Sequence, residues 1–148
     1  MVRGPSVAVR IALAAAVLAI AAVGCGVQSA FDLELGQCFD GGTTEQEVFT
    51  VTSKRCDEPH EKEVFVVFDY PNGPQEFPGE DAIDDVVYGR CVPEFRAFVG
   101  KDWEASQLDF WYLVPTEETW GNGDREIVCA VVDGSDQKLT GSMRGANR

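Results

Sequence analysis

The protein has 148 residues, which is enough for one folded domain together with a processed segment. Its formal net charge is −13, and residues 1–24 contain two arginines and no acid, so the charge of residues 25–148 alone is −15. This balance argues against nucleic-acid binding, which needs clustered Lys and Arg, and against attachment to anionic lipid by charge alone. The acids are scattered among aromatic and β-branched residues, which indicates a solvated acidic surface.

Residues 1–24 have the pattern of an export signal. Arg3 and Arg10 form a basic start, and the apolar run over residues 11–23 is shorter than the about 20 residues of a transmembrane helix. The run ends in Ala22-Val23-Gly24-Cys25, which resembles the lipobox of bacterial lipoproteins. The resemblance implies cleavage before Cys25 and lipidation of that cysteine. A plain secretory signal and an uncleaved anchor stay open as alternatives.

The domain organisation follows from this signal. We expect a signal peptide over residues 1–24, a short tether of small residues over 25–30 and one folded domain over 31–148. The lipid on Cys25 would hold the protein on the extracytoplasmic face of the cell membrane, with the domain close to the bilayer.

Setting Cys25 aside leaves four of the five cysteines: Cys38, Cys56, Cys91 and Cys129. No Cys-x-x-Cys motif occurs among them, so zinc ribbons and thioredoxin-like chemistry have little support. In an exported protein, two structural disulfides are expected, and four cysteines allow three connectivities. We predict Cys38–Cys56, which flank a turn and two β-forming runs, and Cys91–Cys129, which would join a helix to a buried strand.

The first half of the domain reads as strands. Apolar and polar residues alternate at the start of residues 31–39, and a glycine turn follows, which predicts one strand. The β-forming residues 48–53 predict another strand. Residues 64–68 are five consecutive apolar residues rich in valine and phenylalanine, which indicates a central buried strand.

Residues 80–99 form a predicted helix whose apolar residues recur at three-to-four spacing. Acids crowd its first turns, where negative charge favours the positive end of the helix dipole. Pro93 interrupts the pattern, because a proline inside a helix removes a hydrogen bond and clashes with the residue four positions earlier, here Gly89. We therefore expect a kink or break near residues 90–92, with Pro93 starting a second short helix.

The second half of the domain adds strands over residues 108–114 and 125–132, with a glycine-rich turn over 120–124 and a short final strand over 139–143. Together these elements predict an α+β fold. It has a mostly antiparallel sheet of about four to six strands, one kinked helical segment packed on one face and two disulfides as staples.

His60 is the only histidine of the chain, and it lies among four acids: Asp57, Glu58, Glu61 and Glu63. A zinc site normally needs several His or Cys ligands, and carboxylates on an extended segment alternate in direction. We therefore expect Pro59 and His60 to form a turn, with the imidazole bonded to backbone or a carboxylate. A ligand-binding or catalytic role for His60 stays open as the alternative.

The other residues that could bind a ligand or take part in catalysis are also expected to have structural roles. Trp103, Trp111 and Trp120 could form a ligand platform, but packing is the favoured interpretation for each. Asp124 and Arg125 follow the last of these and could form an ion pair or a staple of the turn, with Arg125 in a buried bidentate role. No serine lies in a Gly-x-Ser-x-Gly setting, and no cofactor or metal motif is present, so we expect no cofactor, no metal and no enzymatic activity.

The chain has several separated motifs: Gly36-x-Cys38-Phe39, Cys56-x-x-Pro59-His60-x-x-Glu63-Val64-Phe65, Cys91 with Phe95 and Val99-Gly100, Pro115-x-x-x-x-Trp120-x-x-Gly123-Asp124-Arg125-x-x-x-Cys129, and 139–145. Together these motifs resemble the septum formation domain family of actinobacteria. Order and spacing agree over nearly all of residues 36–145, with a departure at Pro93, inside a helix that the family pattern leaves continuous.

The resemblance implies a membrane-tethered envelope protein linked to division septa, and it supplies no catalytic residue. The expected function is a non-catalytic, lipid-anchored cell-envelope domain that binds an envelope protein or a wall component. A small envelope hydrolase or metal-dependent enzyme using His60 is the alternative.

Overall fold

The computed structural model describes residues 26–42, 50–72 and 75–148. The predicted signal peptide and Cys25 lie outside these residues. The described chain is an α+β domain in which a curled antiparallel sheet of six strands carries one main helix, as the sequence predicted. No helix within the described ranges is both long enough and apolar enough to cross a membrane.

The six strands are short at the N-terminal side of the sheet and long at its centre. Their order across the sheet is β1-β3-β2-β4-β6-β5, and every neighbouring pair is antiparallel. The bounds are β1 Val27–Ser29, β2 Cys38–Asp40, β3 Thr50–Lys54, β4 Lys62–Asp69, β5 Leu108–Leu113 and β6 Glu126–Asp133. The helices are α1 Glu80–Val99 and α2 Glu117–Gly121.

Strand β4 lies at the centre of the sheet, between β2 and β6. Its β-branched and aromatic residues suit a pleated surface that is buried on both faces. The register with β6 shifts between Val64 and Val66, which marks a β-bulge at Phe65. The prediction of a central buried strand here is confirmed.

The sheet buries side chains on both faces. Helix α1 covers one face, where Phe65 packs edge-on against Phe95 with ring centroids 5.9 Å apart. The other face buries Phe39 against Val64 and Val128, with Trp111 packed at the margin. Because both faces are covered, residues of β4 and β6 are apolar in both directions, and no simple alternation is visible in their sequences.

Both disulfides have the predicted pairing. Cys38–Cys56 joins the start of β2 to the loop after β3, with the Cα atoms 5.3 Å apart. Cys91–Cys129 joins the middle of α1 to the centre of β6, with the Cα atoms 6.3 Å apart. The second bridge therefore fastens the helix directly onto the sheet.

The break expected near residues 90–92, with a second helix starting at Pro93, is wrong. Helix α1 runs from Glu80 to Val99 with Pro93 inside it, and no second helix begins there. Pro93 and Gly89 both lie on the exposed side of the helix. The carbonyl of Gly89, which loses its usual hydrogen bond, can therefore bond water, and this lowers the cost of the proline.

Three local predictions also need correction. The strand expected over residues 31–39 begins only at Cys38, because Ala30–Asp32 form a 3₁₀ turn capped by Ser29. The tether expected over residues 25–30 contains strand β1, which pairs with β3. The glycine turn expected over 120–124 is confined to residues 122–123, because Trp120 and Gly121 end α2, whose first turn is held by a capping box between Thr116 and Thr119.

Candidate functional site

His60 is completely buried and lies two residues before β4. Its backbone forms both hydrogen bonds of an isolated bridge with Leu139, at 3.0 and 2.8 Å. This bridge ties the chain that follows β6, which we call the C-terminal segment, to the sheet. Its Nδ1 lies 2.8 Å from the carbonyl oxygen of Glu58. Since a carbonyl only accepts, Nδ1 carries the proton. The predicted bond between the imidazole and the backbone is present. The turn predicted at Pro59 and His60 lies earlier, where the amide of Glu58 donates to the carbonyl of Arg55 at 3.0 Å, and Pro59 is exposed after it.

Glu63 is a buried carboxylate with partners on both oxygens. Ser142 donates its hydroxyl to Oε1 at 2.6 Å, and the amide of Met143 donates to Oε2 at 2.5 Å. A buried charge needs such donors, because an unpaired carboxylate in the interior is strongly unfavourable. Glu63 therefore anchors the C-terminal segment three residues after His60 does.

The pairing of β2 with β4 brings a cysteine to these two residues. Cys38 lies directly opposite Glu63 in the register of the two strands, and such pairs point to the same face. The Cys38 sulfur, one nitrogen of His60 and one oxygen of Glu63 all lie within 4.8 Å of one another. We call these three residues the Cys38 cluster. The cluster is not visible in the sequence, because the strand register that creates it has no local signal.

Trp120, Asp124 and Arg125 form a separate structural unit away from the Cys38 cluster. Trp120 is buried and packs edge-on against Tyr70 and Phe77. The guanidinium of Arg125 lies over the indole of Trp120, 3.7 Å from the ring centroid, and donates to the carbonyls of Trp120 and Asp124. Arg125 is thus a staple of the turn, as one hypothesis held; its two bonds go to carbonyl oxygens of the backbone.

Four aromatic residues line the outer margin of the helix-covered face. Tyr88 of α1 meets Phe110 and Tyr112 of the edge strand β5, and Trp103 packs on Phe110 with centroids 5.2 Å apart. Tyr88 is 45% exposed and the other three are partly buried. We call these four residues the aromatic edge. Of the three tryptophans considered from the sequence, only Trp103 belongs to it.

Two carboxylates fix the polar atoms of the aromatic edge. The indole of Trp103 donates to Asp109 at 2.7 Å, and the hydroxyl of Tyr112 donates to Asp84 at 3.0 Å. Partial burial and the negative charge of Asp84 both disfavour the phenolate, which raises the pKa of Tyr112 to about 12. A polar depression of about 630 Å³ adjoins Trp103, lined by residues that include Ser106, Asp109, Asp133 and Arg148.

A third polar cluster lies where β2, β4 and the loop after β6 meet. Asp40 accepts from Lys138 at 2.7 Å, and although burial acts to raise its pKa, Lys138 holds the pKa below the usual value. Lys62 is buried, donates to the carbonyl of Gly41 at 2.8 Å and lies over the ring of Trp111. Burial lowers the pKa of Lys62, opposed by Glu61. Asp40 and Lys62 each have a partner of opposite charge, Lys138 and Glu61. The cluster is therefore a network of ion pairs that connects the loops around it.

Comparison with known proteins identifies the family. A model of the septum formation family matches residues 35–148, which is most of the chain and almost all of the domain just described. The chain belongs to the septum formation family. No curated protein and no solved structure matches it in the same comparisons.

Membership in the septum formation family points to a septum-related role at the cell envelope. The family is not a known enzyme family. The resemblance recognised in the sequence is thereby confirmed, and the match covers the Cys38 cluster, the staple of Arg125 and the aromatic edge alike.

Proposed function

We propose that this septum formation protein is a non-catalytic, lipid-anchored domain of the cell envelope, and that it binds a wall component or an envelope protein through the aromatic edge. The observation that carries the proposal is the aromatic edge itself. One exposed ring, Tyr88, and three partly buried rings lie beside a polar depression, and such a surface can bind a ligand that has both apolar and polar groups. The septum-related role of the family supplies the setting.

The edge is suited to binding because two of its four rings are already held in place by hydrogen bonds. Asp109 and Asp84 bond the polar atoms of Trp103 and Tyr112, so these side chains lose little freedom when a ligand arrives. Strand β5 is also the last strand of the sheet on this side, and its outer edge has no strand partner in the described chain. An extended ligand could therefore lie along it.

Lipid anchoring is supported by the distribution of exposed apolar side chains. Among the described residues, four large apolar side chains are exposed, and three of them follow Cys25 within ten positions: Val27 at 74%, Phe31 at 44% and Leu35 at 61%. Apolar residues next to a lipidated cysteine would lie at the membrane surface and lose contact with water there. The negative charge of the domain would then keep the rest of it away from anionic headgroups.

The enzymatic alternative receives less support from the geometry. His60, on which this alternative depends, is completely buried, and its backbone amide and carbonyl are both hydrogen-bonded to Leu139. A general base must come within hydrogen-bond distance of its substrate. A wall polymer could not reach His60 without the C-terminal segment leaving the sheet.

The anchor is tested by Cys25→Ser, expressed in an actinobacterial host. We expect the variant to lose its acyl chains and to move from the membrane fraction to the soluble fraction, whereas Ser29→Ala, a matched change in the same segment, stays on the membrane. Acylated Cys25→Ser, or a mature N-terminus at another residue, would refute the anchor.

The binding surface is tested by sedimentation with purified peptidoglycan and by crosslinking in intact cells. Tyr88→Ala should reduce sedimentation or a specific crosslink at least tenfold, and Leu35→Ala, which removes an apolar side chain at least as exposed outside the edge, should leave both unchanged. Sedimentation identifies a wall component and a crosslink without sedimentation identifies a protein. Equal results for Tyr88→Ala and wild type in both assays would overturn the aromatic edge as the binding surface.

A further inference from the structure

The Cys38 cluster has the chemistry of a metal site. It brings a sulfur, an imidazole nitrogen and a carboxylate oxygen within 4.8 Å of one another in the interior. Sulfur, imidazole and carboxylate are the three ligand types that bind zinc in proteins. Ligand atoms at the usual zinc distances of 2.0–2.3 Å lie roughly 3.5 Å apart in a tetrahedron, so side-chain movements of about 1 Å would complete the site.

The ring of His60 has the hydrogen-bond arrangement of a metal ligand. Its Nδ1–H donates to the carbonyl of Glu58, which fixes the tautomer and leaves a lone pair on Nε2. Nε2 is buried and has no hydrogen-bond partner among the described residues. A buried polar atom without a partner is unfavourable and calls for an explanation. Metal-binding histidines commonly have this arrangement, with one nitrogen bonded to a carbonyl and the other on the metal.

Glu63 is held in place in the same way. Ser142 and Met143 each donate to one of its oxygens, and a carboxylate has further lone pairs on both. Hydrogen-bonded carboxylates are typical of metal sites, because the bonds fix the ligand's orientation. The cluster therefore has two of its ligands positioned before any ion arrives.

The third ligand, Cys38, cannot bind zinc while its sulfur is part of a disulfide. The Cys38 sulfur is bonded to Cys56, and zinc binds the thiolate form of cysteine. Of the four bridged cysteines, only Cys56 is partly exposed, while Cys38, Cys91 and Cys129 are buried. A reductant can therefore reach the Cys38–Cys56 bridge through Cys56 and leaves the helix-to-sheet bridge closed.

We propose that reduction of Cys38–Cys56 by a dithiol opens a zinc site formed by Cys38, His60 and Glu63, with Cys56 as fourth ligand. The dithiol gives two electrons and two protons to the bridge and becomes a disulfide itself; Zn²⁺ then replaces the two thiol protons, which leave to solvent. One position in the fold is thus a disulfide under oxidising conditions and a zinc site under reducing ones. Neither the lipid anchor nor the aromatic edge takes part in this site.

The test uses the full-length protein in detergent, oxidised or treated with a dithiol under conditions where alkylation and mass spectrometry find only Cys38 and Cys56 free. The reductant is removed, and Zn²⁺ is titrated by calorimetry. We expect one ion per reduced molecule and none per oxidised molecule. Co²⁺ in place of Zn²⁺ should give the absorption bands of thiolate and tetrahedral coordination, and Zn²⁺ should protect both thiols from alkylation.

Variants separate this site from binding by thiols alone. His60→Gln should weaken Zn²⁺ binding by the reduced protein at least tenfold, whereas Asp57→Asn, an exposed acid beside the site, should leave it unchanged. If His60→Gln does not fold, the Co²⁺ spectrum of the reduced wild type still decides between tetrahedral and other coordination. A folded reduced protein that binds no zinc, or one whose affinity is unaffected by His60→Gln, would overturn the proposal.

Discussion

Two adjacent residues at the start of β4 show how buried charge is tolerated in this protein. Lys62 and Glu63 point to opposite sides of the strand, and both are buried. Each is satisfied by a group from a different loop: the carbonyl of Gly41 receives from Lys62, and Ser142 donates to Glu63. Because a buried charge without a partner is strongly unfavourable, these bonds fix where the two loops lie.

We expect Glu63→Gln to lower the free energy of unfolding by about 1–3 kcal/mol, since the amide places a donor where two donors already point at the carboxylate. Urea denaturation measures the change. The matched control is Glu76→Gln, the same substitution on an exposed side chain, which should change stability by less than about 0.5 kcal/mol. Equal effects of the two substitutions would contradict the role of Glu63 as an anchor of the C-terminal segment.

Tyr112 provides a prediction in alkaline solution. Its pKa is raised to about 12 in the folded protein, by burial first and by Asp84 second, against an ordinary value of 10.0. The folded state therefore holds this proton more tightly than the unfolded state. The stabilisation is complete below pH 10 and is lost as the pH rises through 12.

In the wild type, we expect the free energy of unfolding to fall between pH 10 and 12 more steeply than in Tyr112→Phe, which has no proton to lose. Absorbance of the phenolate gives a direct check, because the protein has three tyrosines and the variant should lack the step near pH 12. Identical phenolate titrations of the two proteins above pH 11 would show that the pKa of Tyr112 is not raised.

At the scale of elements, the helix α1 is held to the sheet by one apolar face and one covalent bond. Its buried residues Ile83, Val87, Cys91 and Phe95 follow the helical repeat, and Cys91 is bridged to β6. The chain-entropy model gives roughly 4 kcal/mol for closing this loop. These interactions keep the helix continuous through Pro93, where local propensity alone predicts an end.

Pro93→Ala is therefore expected to raise the free energy of unfolding by about 1–2 kcal/mol, because the new amide can donate to the carbonyl of Gly89. Part of the gain is offset by the greater freedom of the unfolded chain. Thermal and urea denaturation measure it. Gly89→Ala serves as the control for propensity alone, since a methyl group there meets nothing within 4 Å. If Gly89→Ala raises the free energy of unfolding and Pro93→Ala does not, the prediction is wrong, and the helix backbone has already adapted to the proline ring.

The sequence predicted the elements whose pattern repeats over several residues. Strand β4 and helix α1 were found because a long apolar run and a helical stripe are local signals. Strand β1 has only three residues, and it forms because β3 offers it partners. Helix α2 has five residues and begins at a Thr-Thr capping box, in which threonine takes the place of the usual Glu or Gln. Elements this short form because of tertiary contacts or an uncommon helix cap, and neither gives a repeating pattern in the sequence.

The Cys38 cluster could not be predicted for a related reason. The sequence indicated His60 and the four cysteines, but the meeting of Cys38 with Glu63 depends on the register of two strands. The burial of Glu63 depends in turn on the C-terminal segment, which lies about eighty positions later in the chain. A register that differed by one residue would turn Cys38 to the other face and dissolve the cluster.

At the scale of the whole molecule, the dominant feature is its excess of negative charge. The chain has 25 acids and 12 basic residues, and among the described charged residues only Lys62 and Glu63 are buried. Ion pairs such as Arg90–Glu94 neutralise only some of the acids and contribute little on an exposed surface. Like charges on a compact molecule repel one another, and the unfolded chain relieves this repulsion by expanding.

We therefore expect the free energy of unfolding in urea to rise between 0.01 and 0.1 M NaCl, as the Debye length falls from about 30 to about 10 Å and screens the repulsion. A variant with four exposed acids made neutral, Glu76→Gln, Glu104→Gln, Glu117→Gln and Glu118→Gln, should show a smaller rise, because its negative charge is lower by four. Replacing NaCl by KCl controls for ion-specific effects. Stability that falls with salt in the wild type would mean that the attractive pairs around Asp40 outweigh the repulsion of the surface acids.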